Sequence, residues 1–173
     1  MTEDVIIRPA RSDDVPALVA LLVDDPLGAQ RESTANLAPY YAAFDRIVAD
    51  PNQLLVTMER SGEIIGTQQI TFIPGLSFQG ALRAQIEAVR IRADLRGGGL
   101  GSRLIEWAIE EAQRRGCYLV QLSSNNVRLD AHRFYTRLGF SASHTGAVAR
   151  STPRRSSSSR MSCPWASLPK APT

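Results

Sequence analysis

A chain of 173 residues with 43% hydrophobic and 21% charged residues has the size and balance of one globular domain with its own core, and is short for two. No apolar run approaches the roughly 20 residues that a bilayer span needs, which argues against a membrane partner. The net charge of +3 is an average over unlike parts, because all 17 acidic residues lie at or before Asp130 and the chain beyond position 149 carries only bases.

The N-terminus, Met1-Thr2-Glu3-Asp4, is acidic and leads directly into a strand-like segment, a pattern unlike a secretory signal, so a cytoplasmic location is expected. Val5 to Arg8 reads as a first strand stopped by Pro9. Ser12 is placed to cap a helix in which Val15, Leu18, Val19 and Leu22 share a face. Asp25-Pro26-Leu27-Gly28 breaks it, and a second helix is expected from Leu37 to Ala49. Leu54–Glu59 and Ile64–Phe72 read as strands joined by Ser61-Gly62. Arg83–Arg92 is a further strand, in which simple alternation places Glu87, Val89 and Ile91 on one face.

A glycine-rich loop follows, Arg96-Gly97-Gly98-Gly99-Leu100-Gly101-Ser102, and then an amphipathic helix carrying Leu104, Ile105, Ala108, Ile109 and Ala112 and ending at Gly116. Cys117–Leu122 reads as a buried strand. Asp130 can cap a short helix that Gly139 ends before Phe140. The order implies an α/β domain built on a mixed sheet with helices on its faces. Cys117 and Cys163 form neither a disulfide framework nor a metal-binding pattern, and no metal is expected.

From about Ala149 the character changes to Ser, Pro and Arg, with the run Ser156 to Ser159. Arg150, Arg154, Arg155, Arg160 and Lys170 are five of the chain's 20 bases, which leaves 15 against 17 acids, about −2, for the first 149 residues. Residues 1–148 are therefore expected to form the domain and 149–173 a disordered tail, read as a solvated extension, a nonspecific anion-binding arm or the product of a shifted reading frame. Nucleic-acid binding by the core loses its support.

A strand, a glycine-rich loop and a strong helix together make a phosphate cradle. Glycines expose successive N–H groups and the helix dipole adds positive field; Arg96 supplies a cation at the rim and Ser102 a hydroxyl. A nucleotide P-loop would need Gly-Lys-Ser/Thr here, and no lysine is present. Gly97, Gly99 and Ser102 approach the dinucleotide spacing but lack its third glycine. A glycine turn without a ligand remains the plain alternative.

The pattern Arg-x-x-Gly-x-Gly between strand and helix resembles the acyl-CoA loop of the GCN5-related N-acetyltransferase (GNAT) superfamily. Downstream, Asp130 to Phe140, with Tyr135-Thr136-Arg137-Leu138-Gly139-Phe140, resembles the same superfamily's Tyr-x-x-Leu-Gly-Phe helix end. Many members carry an asparagine seven residues before the tyrosine, where this chain has Arg128; Asn125 stands three residues earlier. The run Leu122–His132, Asp50-Pro51-Asn52 and Ile86-Glu87-Ala88-Val89 are nearest in pattern to the aminoalkylphosphonate acetyltransferase branch.

The resemblance implies a GNAT-like fold of about six to seven strands, acetyl-CoA as co-substrate, and direct acetyl transfer to a primary amine of a small molecule. A protein or peptide acceptor, or a non-catalytic acyl-CoA-binding module, are the alternatives, and a homodimer is the family's habit. By the same resemblance Val89, Arg90 and Ile91 line the pantetheine arm, Gly97 to Ser102 with Arg96 hold the pyrophosphate, and Asn125 joins the cofactor contacts. Tyr135 is the candidate general acid, since a phenol with an ordinary pKa near 10 is protonated at neutral pH. A core tyrosine on an amphipathic helix is its bland counterpart. Glu87 is the candidate base, expected to be partly buried, or else a residue that orients substrate. His132 and His144 have no partner at metal-ligand spacing and are left out of catalysis.

Overall fold

The β-branched and aromatic runs of the sequence pair into one sheet in the computed structural model, which describes residues 5–25, 28–124 and 128–143. Strands β1 (Val5–Pro9), β2 (Gln53–Arg60), β3 (Glu63–Pro74), β4 (Leu82–Ile91) and β5 (Leu119–Leu122) lie in the order β1-β2-β3-β4-β5. The first four run antiparallel to their neighbours and β5 pairs parallel to β4. Five strands, rather than six to seven, are formed by the described residues. The expected tail, the boundary at 148/149 and His144 lie outside them.

Helices α1 (Val15–Val23) and α2 (Ala38–Ala49) follow the expected apolar spacing and bury Val15, Val19 and Phe44 against Leu55 of the sheet. The opposite face takes α4 (Leu100–Arg114), whose Ile105, Ala108 and Ala112 meet Ile70, Phe72, Ala84 and Ile86. Leu104 and Ile105 are fully buried, each contributing about 2 kcal/mol of hydrophobic stabilisation. Between β3 and β4 comes a single turn, α3 (Ser77–Gly80), with Phe78 and Gln79 at left-handed φ. Helix α5 (Leu129–Arg137) packs Phe134, Tyr135 and Leu138 on the α4-side cluster and ends at Gly139, whose φ of 89° no β-branched residue would tolerate. No helix among the described residues is long and apolar enough to cross a membrane.

The entry to α1 departs from expectation. Ser12 makes no capping bond but begins a 3₁₀ turn, Ser12–Asp14. Asp14 takes over, accepting from the Arg11 N–H at 2.7 Å and from Nη1 and Nη2 of Arg8 at 2.7 and 3.0 Å. Two charge-assisted bonds in a part-buried setting outcompete one hydroxyl cap. The arginine holds the Asp14 carboxyl below the usual carboxylate range, against the opposing effect of burial.

Candidate active site

Gly97 and Gly99 have φ of 84° and 80°, and Gly99 is the residue from which α4 starts. A Cβ on either would meet nothing within 4 Å, so backbone conformation and not crowding calls for glycine, and the space above the loop is open. No side chain among the described residues caps α4. The N–H groups of Leu100, Gly101 and Ser102 therefore have no intrahelical acceptor, and they point out at the positive end of a 15-residue helix. That is the chemistry of a pyrophosphate cradle.

Arg96 is engaged inwardly rather than standing free at the rim. Its Nε donates to the Ile91 carbonyl at 2.9 Å, and its Nη2 to the carbonyl and carboxylate of Asp24 at 3.2 and 3.4 Å. Asp24 also accepts from the Ala93 N–H at 2.7 Å. The pair ties the loop to the end of α1, so the cradle itself rests on backbone.

Strand β4 carries the second element. Ala88 has a φ of 52°, and the β3–β4 register slips between Thr67/Arg90 and Gln69/Glu87. The result is a β-bulge, with Ala88 and Val89 left outside the ladder to β3. On the other edge, β5 pairs only with Arg83–Ile86. Beyond Ile86 the main chain of β4 has no strand neighbour on that side among the described residues. An extended polar arm such as pantetheine could bond to it there, which fits Val89 and Ile91 as its partners.

The bulge also overturns the simple alternation. Ile91 joins Leu100 and Leu104 in the α4-side core with Val89 packed against it, while Glu87 and Arg90 stand opposite Gln69 and Thr67 on the α1/α2 side. Glu87 thus shares its face with Arg90, not with Val89 and Ile91. It is exposed instead of partly buried. A cavity of about 180 Å³ opens on this same face, lined by Val19, Tyr40, Phe44, Thr67, Gln69 and Ala88 among others. A larger cavity, about 460 Å³, lies by Asp24, Arg92 and Asp94, but none of the candidate catalytic side chains lines it.

Tyr135 is half-buried between Phe134 and Phe140, edge-on to both at centroid distances of 5.1 and 6.0 Å. Burial pushes its phenol above the ordinary value, while the charges of Arg128 and Arg90 pull the other way. It is therefore protonated throughout the neutral range. Its helix is coupled to the cradle, because Phe134 lies 3.4 Å from where a Cβ on Gly101 would sit. Asn125 falls outside the described residues. Asp130 bonds to Arg133 and makes no cap to the helix. Sequence reasoning missed Asp24, Asp25 and the left-handed Ala88, and an alanine in that conformation leaves no mark in the sequence.

A backbone anion cradle, a strand edge free to bind an extended arm and a protonated tyrosine beside them define an acyl-CoA transferase type of site. The comparisons with known proteins agree. Residues 16–140 match the acetyltransferase (GNAT) family, so this chain belongs to that family and is an acetyltransferase. It is 33% identical over 149 residues to the aminoalkylphosphonate N-acetyltransferase of Salmonella typhimurium, covering 82% of this chain and 91% of the relative. Identity is 30% over 144 residues to the L-methionine sulfoximine/L-methionine sulfone acetyltransferase of Pseudomonas aeruginosa, covering 79% and 80%. A solved structure described as a transcriptional regulator from Bacillus halodurans superposes with a TM-score of 0.82 at 45% identity, covering 85% of this chain and 99% of that one.

Proposed function

We propose that the protein moves an acetyl group from acetyl-CoA directly to the primary amine of a small molecule. The observation that carries this reading is the junction of the uncapped α4 N-terminus with the open edge of β4, to which the Tyr135 helix is joined by Phe134 against Gly101. Leu100, Gly101 and Ser102 N–H groups hold the pyrophosphate, with Gly97 to Gly99 shaping the turn and Arg96 bracing it. Val89 and Ile91 N–H groups bond the pantetheine arm and polarise the thioester carbonyl, their own carbonyls accepting from Arg90 and Arg96, with Arg90 between them and Asn125 completing the contacts.

The amine enters from the α1/α2 face, where Glu87 and the cavity at Ala88 lie. Glu87, exposed on this face, takes a proton from the ammonium through water. The free amine nitrogen attacks the carbonyl, the C–S bond breaks, Tyr135 gives its proton to the departing thiolate, and the proton that the new amide nitrogen sheds restores the phenol. Holding the two reactants together contributes on the order of 7 to 11 kcal/mol in favourable cases. Both named relatives act on small amino compounds, which supports a small-molecule acceptor over a protein one. A protein acceptor would have to reach a cavity of about 180 Å³ roofed by α1 and α2.

The test is thiol release from acetyl-CoA against a panel of aminoalkylphosphonates, amino acids, polyamines, aminoglycosides and a lysine peptide. Turnover with a small amine and none with the peptide is expected. Turnover with the peptide alone would overturn the assignment. On this reading residues 1–148 are the catalytic unit, and deletion of 149–173 leaves thiol release intact.

A further inference from the structure

Arg128, the residue that departs from the family pattern, does not stand alone. Its Nη2 lies 3.4 Å from Asp25 Oδ1, and Arg90 Nη2 lies 3.7 Å from Asp25 Oδ2. Two guanidinium groups thus share one carboxylate. That carboxylate is further committed to the Gly28 N–H at 3.3 Å. Arg31 is close enough to act electrostatically on Arg90, but its own charge is met by Glu32 at 3.0 Å. The group as a whole keeps one positive charge in excess.

The Arg90 side chain is only 10% exposed. Its Nη1 donates to the Val89 carbonyl at 2.8 Å, while its buried Nε has no hydrogen-bond partner among the described residues. An unsatisfied buried guanidinium N–H is costly, and a native fold keeps such a group for a reason. Burial pulls the Arg90 pKa below its ordinary value, with Asp25 opposing, so a second anion would relieve it. Both arginines lie within electrostatic reach of Tyr135, and Arg90 sits on the acceptor face of the β4 bulge.

We infer that Arg90 and Arg128, set against Asp25, form a subsite for an oxyanion on the acceptor, so that the preferred substrate is a short primary amine bearing a carboxylate or phosphonate. This rests on the acetyl-transfer reading for its reaction but on the arginine geometry for its ligand. The anionic end docks on the guanidinium pair and the amine end is left beside Glu87 and the thioester. Arg128 and the side chain of Arg90 are then specificity-determining residues, distinct from the main chain of Arg90 that borders the pantetheine arm. Planar guanidinium groups suit both oxyanions, and the size of the anion decides between them.

Calorimetric titration of the full chain with 1-aminoethylphosphonate, alanine and ethylamine, with and without coenzyme A, tests this. At least one anionic amine is expected to bind about tenfold or more tighter than ethylamine, and the stronger of the two identifies the oxyanion. Arg128→Gln should shrink that preference about tenfold, and Arg128→Lys should keep part of it. Arg128 is 39% exposed, so both variants should melt like the parent; Arg90→Lys gives an independent second reading. Ethylamine binding as well as either anionic amine would overturn the inference, as would an unchanged preference in Arg128→Gln. Thiol release is followed separately on the same samples. Its failure would remove the acetyl-transfer reading, while the binding ratios alone judge the subsite.

Discussion

On the proposed reading the donor side of the site is made of backbone, whereas the acceptor side is made of side chains brought together from four separated stretches of chain. Gly97, Gly99 and the first turn of α4 offer N–H groups whose positions follow from φ and ψ over six consecutive residues. The acceptor cavity takes Val19 from α1, Tyr40 and Phe44 from α2, Thr67 and Gln69 from β3, and Ala88 from β4. The first construction leaves a motif in the sequence and tolerates little change. The second leaves none, and it can be re-tailored one side chain at a time without disturbing the cradle.

Gly99→Glu should strike that difference hardest. It puts a Cβ on a left-handed residue and a negative charge at the proposed pyrophosphate cradle, so acetyl-CoA affinity should fall on the order of a hundredfold with amine binding retained. Calorimetry with each ligand checks this, and equal losses on both sides would dissolve the separation. Asp25→Asn should damage the acceptor side through stability, because Arg90 is left buried without its countercharge; a loss of about 3 kcal/mol in urea melts is expected. Wild-type stability there would mean that the pair is not coupled as described.

A milder effect comes from Asp14, away from both substrates. Its folded-state pKa is depressed, so its contribution to stability is present above the unfolded value near 3.9 and disappears as pH falls through the lower folded value. Asp14→Asn should therefore cost about 2 kcal/mol at pH 7 and flatten the acid limb of the stability curve below about pH 4. Urea melts at pH 7 and pH 3 check the sign, and an equal cost at both would refute the ion pair as its cause. Ala88→Gly should move least, gaining about 0.5 kcal/mol as left-handed strain is relieved against added freedom in the unfolded chain. A loss of more than 1 kcal/mol would show that the methyl group packs in the cavity more than the bulge strains.

What could be read from the sequence follows the same division. Helices α1, α2 and α4 were legible because their apolar residues repeat at helical spacing, and the cradle because glycine at φ near 80° leaves its own signature. The face of Glu87 was not, since one extra residue at the bulge inverts every side chain after it and Ala88 gives no warning. Nor was the inward turn of Arg96, which depends on Asp24 arriving from 72 residues away. Arg128 could be seen as a departure from the family pattern, but its meaning needed Asp25 and Arg90 in space.

The two sides meet at Tyr135, and one measurement bears most directly on that meeting: steady-state thiol release by Tyr135→Phe with acetyl-CoA and a saturating small amine. A lost proton donor should lower kcat about a hundredfold and leave the KM for acetyl-CoA within about twofold, because the cradle does not use the phenol. The raised phenol pKa further predicts no loss of wild-type kcat from tyrosine ionisation below about pH 10. Full turnover in Tyr135→Phe would contradict the account, leaving Tyr135 as a packed core residue and the leaving thiolate without its donor.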